Sequence, residues 1–175
     1  GFLVTNNKKI FENVSLLRDH GRSLKNKNLK KCFGFNSRLD NLHAALAVQK
    51  LKKLNKWIGI RRKIAKIYIN GLKNINGLIL PDFKNKNYFD TFNSFVVKSN
   101  RRDQLKKFLL KKGIEVFSHL DKGVHLEKFS PKSNSKLLKT IKIEKQILSI
   151  PIYPELDFNS IKYVILNIKK FYAQK

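Results

Sequence analysis

From Leu39 to Leu72 apolar residues recur at helical spacing, at Leu39, Leu42, Leu46, Leu51, Leu54, Ile58, Ile64, Tyr68 and Leu72. One face of an α-helix collects such positions, so the run predicts a single long helix, straight or bent, ending near Gly71. After the helix the texture changes to short strand-like runs separated by polar turns. A division is therefore expected within or just after it: residues 1–55 as the remnant of one domain and the start of the helix, residues 56–175 as a compact α+β domain. Ser37-Arg38-Leu39-Asp40, just ahead of the helix, has the spacing of a capping box.

The flanking segments are shorter. Phe2 to Thr5 reads as a strand, Asn6-Asn7 as a cap, and Ile10, Val14, Leu16 and Leu17 as the apolar side of a helix ending near Arg18. Residues 19–35 carry Gly, Asn, Ser and Lys without periodicity, which predicts a long loop. After the long helix, Gly77–Pro81 and Asn93–Lys98 read as strands. A helix then carries Leu105, Phe108 and Leu109 inward, with Asn100 or Asp103 as its cap and Gly113 at its end, followed by a strand from Ile114 to Phe117. Residues 133–148 predict another helix and Ser149–Pro154 an extended segment. Asp157 is placed to cap a last helix with Ile161, Ile165, Ile168 and Phe171 on one face.

With 42% apolar residues, 175 residues suffice for a real core. Apolar stretches stay far short of the roughly 20 residues needed to cross a bilayer, the opening residues lack the features of a secretory signal, and the lone Cys32 has no disulfide partner; the cytoplasm is the expected location. The formal charge of +26 points first toward a basic module that binds RNA or another polyanion. Only seven of the 38 basic residues are arginine, however, the side chain that phosphate and base recognition favours, and the lysines are spread along the whole chain. A solvated surface accounts for that distribution, which makes nucleic acid the alternative partner.

Phosphate-loop, GxGxxG and HExxH patterns are missing, and His20, His43, His119 and His125 are too scattered to predict a metal cluster. Ser118-His119 next to Asp121 is no evidence for a hydrolytic triad, which is defined by geometry. The chain holds no methionine and opens on Gly1 inside an apparent strand, so a cut or partial chain is expected.

The segment Gly34-Phe-Asn-Ser-Arg-Leu-Asp-Asn-Leu-His-Ala-Ala45 resembles the G-[YF]-N-x-R-[LM]-x-x-[LI]-Q-A-A segment of DegT-type sugar-nucleotide aminotransferases, with His43 where the family has Gln. Gly1–Asn6 is similar to that family's G-G-x-x-x-T-N strand, and Leu17-Arg-Asp-His-Gly-Arg22 to its L-R-x-H-G loop. Trp57 to Tyr68, with Arg61-Arg62, is similar to its W-x-x-R-R-x-x-A-x-x-Y helix, and Leu148–Leu156 to its L-S-L-P-x-Y-P-x-L end. Each match alone is modest, but five in the right order cover almost the whole chain. Arg101-Arg-Asp-Gln-Leu105 and Lys122-Gly-Val-His125 are closer to members acting on 3-keto-6-deoxy sugar nucleotides.

The resemblance implies the C-terminal part of the α/β fold of aspartate aminotransferase: the end of the large domain that binds pyridoxal phosphate (PLP), a long interdomain helix and a small α+β domain. It implies a homodimer that takes an amino group from an amino acid, usually glutamate, and gives it to a keto sugar on a nucleotide carrier. A sugar dehydratase of the same fold, with His for the lysine, is the close variant. PLP chemistry needs a lysine to hold the cofactor. In the family that lysine precedes the G-G-x-x-x-T-N strand, so the chain is expected to lack it and to be inactive alone. Asn36 corresponds to the asparagine that reaches the phosphate of the neighbouring subunit's PLP; its other reading is a residue that shapes the turn before Ser37. Arg38 is placed to face anionic substrate or cofactor, or to pair with Asp40 or another surface acid. Lys122, His125 and His20 are candidates for the sugar-nucleotide site, and His43 reads as a partly buried helix residue.

Overall fold

The computed structural model describes residues 3–83, 87–118, 123–128, 130 and 137–174; Lys122, with His119 and Asp121, lies outside them. It comprises two compact units, residues 1–52 and 53–175.

In the first unit, helix α1 spans Lys8–Leu17. Its start is set by Asn7, whose side-chain oxygen accepts from the backbone N–H of Lys9 at 2.9 Å and Ile10 at 3.2 Å, satisfying two of the amides a helix leaves open at that end. Residues 3–5, expected to be extended, form no strand. Helix α2 spans Asn41–Leu72 and runs from the first unit into the second, so the long amphipathic period was read correctly. Its cap is Asp40 rather than Ser37: the Asp40 carboxylate accepts the His43 N–H at 2.8 Å, and the Asp40 carbonyl accepts from Ala44 at 2.9 Å. A carboxylate at that position also complements the helix dipole.

The second unit is built on a three-stranded antiparallel sheet in the order β1 (Leu78–Ile79), β2 (Phe95–Ser99), β3 (Ile147–Ile150), with Phe95 opposite Ile150 and Leu78 opposite Ser99. Strand alternation sends Phe95, Val97 and Ser99 inward. Residues 147 and 148, expected at the end of a helix, instead belong to β3, because helix α4 (Leu138–Glu144) stops at Lys145 and the apolar run that follows pairs with β2. Ile114 to Phe117, expected as a strand, makes a single bridge, Phe117 to Ser149. Helix α3 (Arg102–Lys111) has Arg101 at its cap position with no side-chain cap; the Arg101 N–H goes to Ser99 Oγ at 3.0 Å, and Asp103 occupies the first turn. Gly113 follows with φ +71°, a left-handed turn that favours glycine. Helix α5 (Phe158–Ala173) is capped by Asp157, which accepts from Asn159 and Ser160.

The core lies between these elements. Ile64, Ala65, Tyr68 and Leu72 of α2, Leu105 and Leu109 of α3, and Ile161, Val164, Ile168 and Phe171 of α5 close on Phe92, Phe95, Val97, Leu148 and Ile150. The Tyr68 hydroxyl donates to the Pro151 carbonyl at 2.9 Å, and burial pushes its pKa upward. The Tyr172 hydroxyl donates to Ser99 Oγ at 2.6 Å. No helix among the described residues is long and apolar enough to cross a membrane.

Candidate cofactor-facing loops

The two loop segments singled out in the first unit are laced together through their backbones. Phe35 N–H donates to the Leu17 carbonyl, His20 N–H to Phe35 at 2.9 Å, and Ser37 N–H to Arg18 at 2.9 Å, while Asp19 and Asn36 form an antiparallel bridge. Two glycines allow this approach. A Cβ on Gly34 would sit 2.2 Å from the Gly21 nitrogen, and one on Gly21, at φ +73°, would sit 1.8 Å from the Cys32 carbonyl oxygen. The L-R-D-H-G and G-F-N-S-R motifs are therefore one structure: each glycine is needed by the other's loop.

Onto this frame the sequence hangs three of the candidate residues. Asn36 is exposed, held by its backbone, and its side-chain amide has no hydrogen-bond partner among the described residues. Arg38 pairs with Asp19, Nε to carboxylate at 3.4 Å, so the acid it meets is Asp19 and not Asp40; 59% of its side chain stays accessible, which leaves its remaining donors open. His20 adopts φ +55°, unusual for a residue with a Cβ, and lines a hollow of about 440 Å³ with Lys30, Lys31, Cys32, Phe33 and Gly34. Asp19, which orients Arg38, was missed from the sequence because an ion pair across a 19-residue separation has no periodic signature.

The helix end adjoining Asn36 is not itself an open anion site. Asp40 accepts the His43 N–H and meets the His43 ring, and those bonds, the backbone one first, hold its carboxyl below the usual range. Any anion at this turn must be met by side chains such as the Asn36 amide or Arg38. His43, expected to be partly buried, is exposed and serves as the partner of that cap.

In the second unit, His125 sits in a single helical turn, Val124–Leu126. A Cβ on Gly123 would lie 2.7 Å or less from both the His125 ring and Glu144 Oε2, so glycine is what lets these two groups approach. His125 Nε2 and Glu144 Oε2 are buried without a hydrogen-bond partner among the described residues. Glu144 comes from the end of α4, and nothing in the sequence pattern marked it. Of the Arg61-Arg62 motif, Arg62 lies over the rings of Phe83 and Phe89, at 5.1 and 4.2 Å, and donates to the Asp90 carbonyl, which is a structural task. Among the described residues no group of three potential ligands could hold a metal ion.

The sequence profile of the DegT/DnrJ/EryC1/StrS aminotransferases matches residues 1–169. The chain belongs to that family. Family relatives include the dTDP-3-amino-3,4,6-trideoxy-alpha-D-glucose transaminase of Streptomyces venezuelae, 32% identical over 90% of this chain and 41% of its own. Another is the pleiotropic regulatory protein of Geobacillus stearothermophilus, 30% identical over 98% of this chain and 47% of its own. The solved structure of S. venezuelae DesV in complex with a ketimine intermediate superposes with a TM-score of 0.84 at 29% identity, over 98% of this chain and 46% of that one. The chain thus spans about half the length of the relatives it matches, their C-terminal portion, and it has the fold of that portion: a long helix followed by a small α+β domain.

Proposed function

We propose that these residues form the C-terminal half of a PLP-dependent aminotransferase that moves an amino group from an amino acid, glutamate being the donor, to a keto sugar carried on a nucleotide. In this reading residues 1–55 close the large PLP-binding domain and begin the interdomain helix, and residues 56–175 are the small domain of a cytoplasmic homodimer. The lysine that holds the cofactor is supplied by chain outside this sequence, and the 175 residues alone are inactive. Aminotransferases of this family are PLP-dependent; PLP, when bound, takes up the donor's amino group and passes it to the keto carbon.

The observation that carries the reading is the state of Asn36. An amide that only shaped its turn would be bonded within the turn, yet the backbone of the two loops already holds this one and its side chain projects free of partners among the described residues. That fits a donor aimed at an acceptor from outside its own loops, such as the phosphate of PLP on a neighbouring subunit. Arg38, anchored by Asp19 but still accessible, supplies positive charge beside it. His20, Lys122 and His125 are assigned to the sugar nucleotide. The apolar side chains exposed on the same unit, Phe33, Phe35, Leu39, Leu42 and Leu46, provide the surface for the dimer.

The gene product as its genome encodes it provides the test. It should sediment as a dimer and turn yellow with bound PLP. Asn36→Ala should leave the dimer intact and weaken PLP retention about tenfold, the loss expected for a hydrogen bond to a charged group. An Asn36→Ala dimer with unchanged PLP affinity would remove Asn36 from the cofactor site, and a product that never takes up PLP would end the reading altogether.

A further inference from the structure

A hollow of about 780 Å³ in the second unit lies beside the segment that follows α3, the end of β3 and the start of α5. Its size is that of a small-molecule site, for which roughly 300–1,000 Å³ is usual. Its chemistry runs against the rest of the chain. In a protein with 38 basic and 12 acidic residues, Glu115 is the sole charged residue among the described residues lining the hollow. Burial alternates along residues 114–117: Glu115 and Phe117 are exposed, while Ile114 and Val116 go into the core.

Three rings line the hollow, each about half exposed: Phe117 at 54%, Tyr153 at 47% and Tyr163 at 47%. Tyr163 is fixed by its hydroxyl, which donates to the Lys112 carbonyl at 3.2 Å. On the wall, Ser149 is 7% exposed and its Oγ is buried with no hydrogen-bond partner among the described residues. A buried hydroxyl without a partner costs about 1–3 kcal/mol, and a ligand that meets it recovers that loss.

Among the described residues the charges nearby do not favour an anion. The free amides at the start of α5 could have attracted one, but Asp157 accepts from both Asn159 and Ser160, so that helix end is already closed by a carboxylate. The lysines adjoining in sequence point to rings elsewhere, Lys112 over Phe108 at 5.8 Å and Lys162 over Phe158 at 4.4 Å. Arg102 and Lys106 meet at Ser118, which alternation places on the face opposite Phe117.

We propose that this hollow binds a small organic ammonium ion, its cationic head between the Glu115 carboxylate and the ring faces, and a hydroxyl or N–H of the same molecule on Ser149 Oγ. Rings attract a cation through their negative faces, most strongly where water is partly excluded. The site uses none of the residues assigned above to cofactor or sugar.

Titration of the full gene product with choline chloride, followed by NMR against sodium chloride at equal ionic strength, tests the proposal. Saturable shifts at Phe117, Ser149 and Tyr153 are expected. Glu115→Gln, at an exposed position that should not disturb folding, should weaken binding about tenfold, and Tyr153→Ala severalfold. Ser149→Ala should weaken binding while leaving the fold at least as stable. The proposal is overturned if choline fails to saturate at millimolar concentrations, if Glu115→Gln binds as well as the parent, or if inorganic phosphate gives the same shifts.

Discussion

Residues 1–52 and residues 53–175 are ordered by different physics, although one helix runs through both. Every buried apolar side chain of the described core, from Ile64 to Phe171, belongs to the second unit. Among its described residues the first unit has none: what it buries are Ser15, Gly21 and Ser23, and it exposes Phe33 fully and Leu42 at 71%. It is held by helix caps, the backbone bonds between its two loops, and glycines that let those loops touch. Even α2 divides this way. Its last turns bury Ile64, Tyr68 and Leu72, whereas Leu42, Leu46 and Leu51 near its start face outward. A region can thus have a definite backbone without a core, and its uncovered apolar residues then mark where another surface belongs.

Paired truncations should break or sharpen this contrast most strongly. Leu109→Ala, at a position with 0% exposure, should cost the second unit about 2–5 kcal/mol, transfer energy plus cavity. Leu46→Ala, at 54% exposure, should change the stability of the isolated chain by no more than about 0.5 kcal/mol while weakening dimer formation by the full gene product. Urea unfolding and sedimentation measure the two. Equal losses of stability at both sites would mean that the first unit has a core of its own.

A smaller effect is expected where the first unit depends on glycine. Gly34→Ala places a methyl group 2.2 Å from the Gly21 nitrogen, and backbone cannot step aside as a side chain end can. Overpacking of this kind costs about 1–3 kcal/mol. Hydrogen exchange should rise at Phe35 and Ser37, whose amides link the loops, and remain unchanged at Leu105 and Leu109 in α3. Protection lost equally in α3 would show that the units do not open independently.

How far the sequence disclosed all this follows the same division. The long helix was legible because its period persists for some thirty residues, and α1, α3 and α5 were legible because Asn7, Gly113 and Asp157 punctuate them locally. The motif around Asn36 was found by its resemblance to a family. The misreadings share one cause, competition from distant partners. Ile147-Leu148 continues a helical pattern until β2 is there to pair with it, and Ile114–Phe117 alternates like a strand yet makes only one bridge. Ser37 is spaced like a cap, but the Ser37 N–H is taken by the Arg18 carbonyl and the helix begins at Asp40 instead. The Arg38–Asp19 pair and the His125–Glu144 approach join residues from separate segments. No local spacing contains either.

The smallest expected effect concerns acid, and it compares the two caps made by carboxylates. Ser160, through its hydroxyl and then its amide, lowers the pKa of Asp157, and the His43 amide, then its ring, lowers that of Asp40. A carboxylate with a lowered folded-state pKa contributes stability that is fully present above its unfolded value, about 3.9, and lost as pH falls through the folded value. Both groups are exposed, so solvent screens them and the contributions are modest. Asparagine also caps helices but does not titrate. Asp157→Asn should therefore nearly match the parent in urea at pH 7 and lose less stability than the parent between about pH 4 and pH 2, because α5 anchors the core of the second unit. Asp40→Asn should leave that unfolding curve unchanged at every pH and alter only the exchange of the His43 and Ala44 amides, since the helix end it caps carries no buried apolar residue. If Asp40→Asn shifted the acid transition as much as Asp157→Asn, the start of α2 would be contributing to global stability and the contrast between the two units would fail.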